Sequence, residues 1–464
     1  MHKYLKLITA LLFVCATVFG QQQPVVFTRQ DFIAQVKAFH PVARQANIQM
    51  EKANAQLMAA RGGFDPSIAF DANRKTFDGK NYYYHTNPQL TVPLPVGNIK
   101  TGIEENGGAN LTPEVTKGKT SYLGVELPLA NGLLIDKRRA TLRQAKLLIN
   151  QTEQERQLAL NNLIYDASTA YLQWAASYQQ YKLYQQFTNV ATNRLRLMRI
   201  AYTNGDRALV DTVEAFVQLQ NYQLQQADAA LKLNNAGFEL SNYLWAEGDK
   251  GYQLPEQYLP DTTLFAAPAN ALVAQQLIDE SAGKNPALKV YDYKLAGLET
   301  ERKLKQQYLL PYISIKANLL NKDYYALKNI STSFIQNNYA WGIDVKMPLF
   351  LREARGEYKK AQLKIQETNL ELLNKRQQTD NKIRSYVNEF TTLSSQLQTT
   401  QSMYKNYQLL LRSEELKFMQ GESSLFLVNS RETKVIEILQ KQIDLTTKMY
   451  KAKYAAELAA GVMN

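Results

Sequence analysis

The sequence of 464 residues predicts a mostly α-helical protein that also carries a membrane β-barrel, and three observations lead there. One plan of helix, strand, strand, long helix and return helix occurs twice. The strands alternate between an apolar and a polar face. The helical stretches are very long, with no proline from residue 129 to 254 or from 349 to the end.

The N-terminus comes first. Lys3 and Lys6 precede an apolar stretch from Leu7 to Val14, and Val18-Phe19-Gly20 places a small residue just before Gln21. This is the layout of a secretory signal peptide over residues 1–20, too short to span a bilayer. Cys15, the one cysteine, lies inside it; Val14 before it is not a small residue, which argues against acylation there. A chain starting near Gln21 has neither disulfides nor thiol chemistry. The 54 basic residues exceed the 42 acidic ones, giving a net charge of +12. The basic side chains are scattered among acids along helix-like segments. That is the pattern of solvated faces and gives no nucleic-acid partner.

The first repeat is expected over residues 21–247. Its strand entry, Pro66, Ile68, Phe70 and Ala72, alternates with Ser67, Asp71 and Asn73. An offset of 245 residues carries His40-Pro41 onto Asn285-Pro286 and Pro66 onto Pro311, where Ile313, Ile315 and Ala317 alternate with Ser314, Lys316 and Asn318. Each half offers a second such strand: Leu123, Val125 and Leu127 around Glu126, and Trp341, Ile343 and Val345 around Asp344. Between the first two strands lies a stretch rich in Gly, Pro and Asn over residues 87–118. It is expected as an enlarged external loop, with a weak alternation at Leu90, Val92 and Leu94 that leaves an added hairpin open.

The long helices follow. Leu160, Ile164, Ala167, Tyr171, Trp174, Tyr178 and Tyr181 step by four and three, the seam of a coiled coil; Ile383, Tyr386, Phe390, Leu393 and Leu397 do the same. A second offset, 216, takes Arg139 to Arg355 and Gly205 to Gly421. Each glycine can adopt positive φ and turn the chain back. Residues 248–270, with Pro255, Pro260 and Pro268, form a linker in the expected equatorial region, and the second repeat occupies residues 271–464.

No run of eighteen apolar residues follows the leader, so a membrane would have to be crossed by strands closed into a barrel. Four strands per chain are too few, because barrels need at least eight. Three chains would give a 12-stranded barrel, with Glu126, Lys316 and Asp344 lining a wet lumen. Tyr82, Tyr83, Tyr84, Tyr122, Tyr324, Tyr325, Tyr339 and Trp341 cluster near the strands, where an interfacial girdle would want them.

In this arrangement the sequence resembles the TolC-like outer membrane efflux protein family. The resemblance rests on "FDPSIAFD", "ELPLANGLLIDKRRATLRQAK", "AYTNGDRALVDTVEA" and "KFMQGESSLFLVNS", in that order and spacing. It implies a homotrimer in the bacterial outer membrane, extending into the periplasm as a helical barrel. It implies a passive export duct of a tripartite efflux or type I secretion system, working with a periplasmic adaptor (membrane fusion) protein and an inner-membrane pump. By position, the adaptor-docking tips would be Tyr202, Gly205 and Leu209 in the first half and Phe418, Gly421 and Leu425 in the second. Some members ring the entrance with two acids six and nine residues after the second glycine. Here Leu427 and Ser430 stand there, while Asp211 and Glu214 occupy the matching first-half places. An acidic gate and an apolar constriction at Leu427 therefore carry equal weight.

Enzymatic chemistry is not expected. His40 and His85 are the histidines beyond the leader, in no metal-ligand spacing, and no phosphate-binding or dinucleotide motif occurs. No cofactor is implied. The alternative to a duct is a secreted or periplasmic coiled-coil scaffold without pore activity. It accounts for the heptads but not for apolar-faced strands at equivalent places in both halves.

Overall fold

A computed structural model describes residues 25–266, 271–322 and 337–463. The expected leader with Cys15, and Pro268, Tyr324 and Tyr325, lie outside the described residues. The first half contains β1 (Val25–Phe27), α1 (Arg29–Phe39), α2 (Pro41–Gly62), β2 (Ser67–Phe77), β3 (Lys80–Pro93), β4 (Asn98–Gly107), β5 (Gly118–Pro128), α3 (Lys137–Thr203) and α4 (Leu209–Ser241). Short strands β6 (Trp245–Ala246), β7 (Lys250–Gly251) and β8 (Tyr258–Pro260) follow. The second half contains α5 (Ala274–Lys284), α6 (Pro286–Gln307), β9 (Tyr312–Lys322), β10 (Tyr339–Lys346), α7 (Arg352–Met419) and α8 (Leu425–Ala460).

The duplication extends to element boundaries. Shifted by 245 residues, α1, α2 and β2 fall on α5, α6 and β9 at both ends, and α4 starts 216 residues before α8. Local chemistry fixes these limits. Pro41 and Pro286 open their helices, where a missing N–H costs nothing. Their predecessors, His40 and Asn285, are extended, as the residue before a proline prefers.

The chain forms two compact units, to both of which α3 and α7 contribute. One comprises residues 47–157 and 286–377 and holds the large sheet. Its strand order is β10-β9-β5-β4-β3-β2, antiparallel at every step. Among the described residues the sheet has six strands, where four were expected and an added hairpin was left open. The additional pair, β3 and β4, occupies most of the stretch expected as an external loop. Asp78 and Gly79, both at positive φ, make the tight turn between β2 and β3.

Register sorts the sheet into two faces. Opposite residues share a face, so Ile68, Leu90, Thr101, Leu123, Leu319 and Tyr339 lie in one row. The next outward row adds Val92, Ile99, Val125, Ala317 and Trp341. This face is mostly apolar across the six strands, with Arg74, Thr86, Thr101 and Glu105 as polar exceptions on β2, β3 and β4. The opposite face carries Asn73, His85, Lys100, Glu126, Lys316 and Asp344. Tyr122 belongs to that polar face. It is buried, reaches over β4 and donates to Asn87 Oδ1 at 3.2 Å, so it takes no part in the expected girdle.

The second unit comprises residues 25–46, 158–285 and 378–463. Its core gathers Phe32, Val36, Ile164, Ala167, Tyr171 and Trp174 with Leu240 and Leu244. Ile383 and Phe390 from the other predicted seam are buried against α8 residues Ala456 and Met449. The Tyr171 hydroxyl donates to Phe27 O at 2.7 Å and accepts from Asp261 N at 2.9 Å, tying β1 and the linker to α3. Burial pushes the Tyr171 phenol up to about 12. Among the described residues, no helix is long and apolar enough to cross a membrane.

Candidate functional site

The polar face of the sheet brings the three predicted lumen residues together. Glu126 on β5 stands directly opposite Lys316 on β9. Lys316 Nζ lies 2.5 Å from an Asp344 oxygen, and Lys100 Nζ lies 2.7 Å from Glu126. The result is an alternating row, Lys100–Glu126–Lys316–Asp344, across four strands. Lys100 was hidden in the stretch read as a loop. Sign alternation neutralises the row internally, which leaves a wet surface without a strong ionic preference.

Where β5 leaves the sheet, Asp136 caps α3. Its carboxylate accepts from Arg139 N at 2.9 Å and from Arg139 Nε at 3.0 Å. Burial pushes this carboxyl up, but the Arg139 and Arg138 donors outweigh it and hold it below its ordinary range. Arg139 also donates to the Leu133 and Leu134 carbonyls, fixing the passage from strand to helix.

The second cluster lies at the two helix turns of the other unit. In the first, Asp206 N donates to Ala201 O at 2.9 Å and Gly205 N to Tyr202 O at 3.0 Å, with Gly205 at φ +80°. In the second, Glu422 N donates to Lys417 O at 2.9 Å and Gly421 N to Phe418 O at 3.1 Å, with Gly421 at φ +79°. These are matching Schellman ends, in which the positive-φ residue lets two following amides satisfy carbonyls of the last turn. A Cβ at either glycine would meet nothing within 4 Å, so these positions demand glycine through backbone alone.

The tip residues divide by exposure. Tyr202 and Leu209 are exposed on the first turn. Phe418 is partly covered and Leu425 is buried at 1% exposure in the core with Leu195 and Ala215. Leu425 thus holds the turn in place and presents no surface. Leu427 and Ser430 are exposed on α8, and Asp211 is half-buried on α4. Glu214 accepts from Asn429 Nδ2 at 3.1 Å and so is committed inside the unit.

Two features escaped the sequence. Arg207, two residues after Gly205, donates to Phe418 O at 2.7 Å and lies 4.1 Å from the centre of the Phe418 ring, joining one turn to the other. Nearby, Arg194 on α3 makes a forked pair with Glu432 on α8, both bonds 2.8 Å. Tyr222 on α4 donates to the same carboxylate at 2.9 Å, and Arg194 also donates to Asn429 Oδ1 at 3.1 Å. Burial raises the Tyr222 phenol and the adjacent carboxylate raises it further. Burial opposes the Arg194 charge, but Glu432 more than restores it and the guanidinium sits above its ordinary value. This network locks α8 to both helices of the first hairpin.

A strand sheet with one mostly apolar face and paired long helices with glycine-turned ends make up a fold shared with solved outer membrane channels. Residues 33–244 match the family model described as outer membrane efflux protein. Solved structures give the same fold along nearly the whole chain. CusC, from a study of its folding and transmembrane channel formation, is 13% identical with TM-score 0.65, covering 96% of this chain and 95% of its own. The Campylobacter jejuni CmeC outer membrane channel is 14% identical with TM-score 0.62, covering 97% and 91%. The open state of the Neisseria gonorrhoeae MtrE outer membrane channel is 14% identical with TM-score 0.63, covering 94% and 89%. No curated protein matches the sequence significantly. The first half of the chain is thus similar to the outer membrane efflux protein family, and the whole chain shares the fold of these outer membrane channels.

Proposed function

We propose that this chain is one protomer of a homotrimeric, passive export duct that crosses the outer membrane and continues through the periplasm. One observation carries the reading: an antiparallel sheet with a mostly apolar face, a charged opposite face and two edges that are unpaired among the described residues. Such edges cannot be left open in hydrocarbon, so neighbouring copies must complete the wall. The apolar face meets outer-membrane lipid, and Lys100, Glu126, Lys316 and Asp344 line the lumen. The duct supplies a wet path and no energy; an inner-membrane pump drives transport.

The helix turns form the periplasmic entrance. Tyr202, Leu209 and the partly covered Phe418 offer the surface a periplasmic adaptor would grip, with Gly205 and Gly421 setting the turn geometry and Leu425 anchoring the second turn. Asp211, Leu427 and Ser430 are the constriction candidates, and the internal engagement of Glu214 favours an apolar ring at Leu427 over an acidic one. Native mass measurement on detergent-purified protein tests the assembly. Three copies are expected, with loss of solubility on detergent removal. A monomer soluble in plain buffer would favour the coiled-coil scaffold instead.

A further inference from the structure

The first repeat exceeds the second by one hairpin, β3–β4, and its placement decides what the surplus does. β4 pairs with β5 over nine residues, from Asn98 opposite Glu126 to Asn106 opposite Gly118. β5 pairs with β9 over nine as well, from Thr120 opposite Lys322 to Pro128 opposite Ser314. The inserted strands are therefore as tall as those shared by both repeats. With 14 and 10 residues, they meet the length of about 9–11 that a tilted strand needs to cross a bilayer.

Both ends of the hairpin are fastened to the same levels as its neighbours. At one end, Arg138 at the start of α3 donates to Asn98 Oδ1 at 3.0 Å. Gly97 there has φ +84°, and a Cβ on it would lie 2.2 Å from Glu126 O, so the β3–β4 turn is pressed against the end of β5. At the other end, Asn106 Nδ2 on β4 donates to Thr116 O, just before β5, at 3.2 Å. Across the middle, Tyr122 covers Gly102 and bonds Asn87, so one side chain of β5 engages both inserted strands. The two-faced pattern also continues through them: Leu90, Val92 and Ile99 on the apolar side, Gln89, Thr91 and Lys100 on the polar side.

The edges complete the case. Five antiparallel steps separate β2 from β10, so these two edge strands, unpaired on their outer sides among the described residues, run in opposite directions. Each edge carries an apolar outward row, with Ile68 and Phe70 exposed on β2 and Trp341 and Ile343 exposed on β10. A second copy can thus add its β2 to β10 in antiparallel register, apolar face to the same side.

We infer that β3–β4 is a transmembrane part of the pore wall, and that three copies close an 18-stranded barrel whose outlet is wider than four strands per copy would allow. The ring size rests on the trimeric duct proposed above; the bilayer position of the hairpin does not. With strands about 4.8 Å apart and tilted by about 40°, twelve strands give a backbone diameter of about 24 Å and eighteen about 36 Å. The outlet then passes cargo of larger cross-section, and selection by size falls to the periplasmic entrance.

Two measurements test this on the full chain in lipid nanodiscs. Electron microscopy should show a barrel ring of about 36 Å, shrinking to about 24 Å when residues 79–107 are deleted, since β2 then reaches β5 through the loop beyond Gly107. Single-cysteine variants read the hairpin directly. Gln89→Cys should react with a water-soluble maleimide, whereas Leu90→Cys should resist it and be quenched by a lipid-attached probe. A ring of about 24 Å in the full chain, or equal aqueous labelling at both positions, overturns the inference and leaves the duct intact. The alternating labelling pattern without any ring-shaped oligomer supports the membrane hairpin while removing the trimer and its 18-stranded closure.

Discussion

Replacing Glu432 by alanine should loosen α8 from the first helix hairpin more than any other single change near the turns. The side chain is 2% exposed and its partner Arg194 14% exposed, so the substitution leaves a guanidinium buried without its counter-charge. Removing one member of such a pair costs about 3–5 kcal/mol. Tyr222 loses its acceptor as well, a further penalty of about 1–3 kcal/mol if it finds no other partner. At about 1.4 kcal/mol per decade, the ion-pair loss alone raises local opening by roughly two to three and a half decades. Hydrogen exchange read by mass spectrometry, on detergent-solubilised protein, would show this as lost protection in α8 around residues 425–436 and in the facing part of α3. The paired replacement Arg194→Met with Glu432→Leu should recover much of the protection, because an apolar pair needs no counter-charge. Recovery should be incomplete, since the Tyr222 hydroxyl loses Glu432 and Asn429 Oδ1 loses Arg194, although Asn429 keeps its bond to Glu214. Unchanged exchange in Glu432→Ala would refute the reasoning, for the pair would then contribute nothing to holding α8.

Further outcomes follow from the same geometry. Gly205→Val with Gly421→Val costs about 1–2 kcal/mol at each turn from positive φ, with no steric collision to add; oligomers should persist while dye efflux in cells falls. Arg207→Ala removes a carbonyl bond and a ring contact, and amides 417–422 should exchange faster by an amount matching about 1–2 kcal/mol. Asp136→Asn should lower the melting temperature at neutral pH but not in strong acid. The folded carboxyl lies below its ordinary value, so its contribution is complete above about pH 4 and disappears as pH falls through the folded value. Melting curves of both proteins should therefore converge at the acid end.

The repeat was legible because proline and alternation are local signals. Pro66 and Pro311 marked strand entries that the structure places one residue later, at Ser67 and Tyr312. The seam residues Ile164, Tyr171 and Ile383 are buried as a four-three spacing requires. The inserted hairpin was harder to read for a physical reason. On its apolar side Thr86, Thr101 and Glu105 interrupt the hydrophobic alternation, and Pro88 sits within β3. A six-stranded sheet tolerates them because register, set by β5, outweighs local preference. The Arg194–Glu432 network lay beyond reach for another reason. Its members stand 238 residues apart in sequence and have no counterpart in the other repeat, where Leu410 and Phe216 occupy the matching places. The burial of Leu425 could not be read from the turn alone, because it depends on α3 and α4 packing over it.

Single-channel recording of the purified protein in planar lipid bilayers bears most directly on the duct. Stable, water-filled conductance steps with little preference between cations and anions are expected, matching the alternating charges on the polar face. Protein that inserts into the bilayer yet never passes current would contradict the proposal that its sheet encloses a pore.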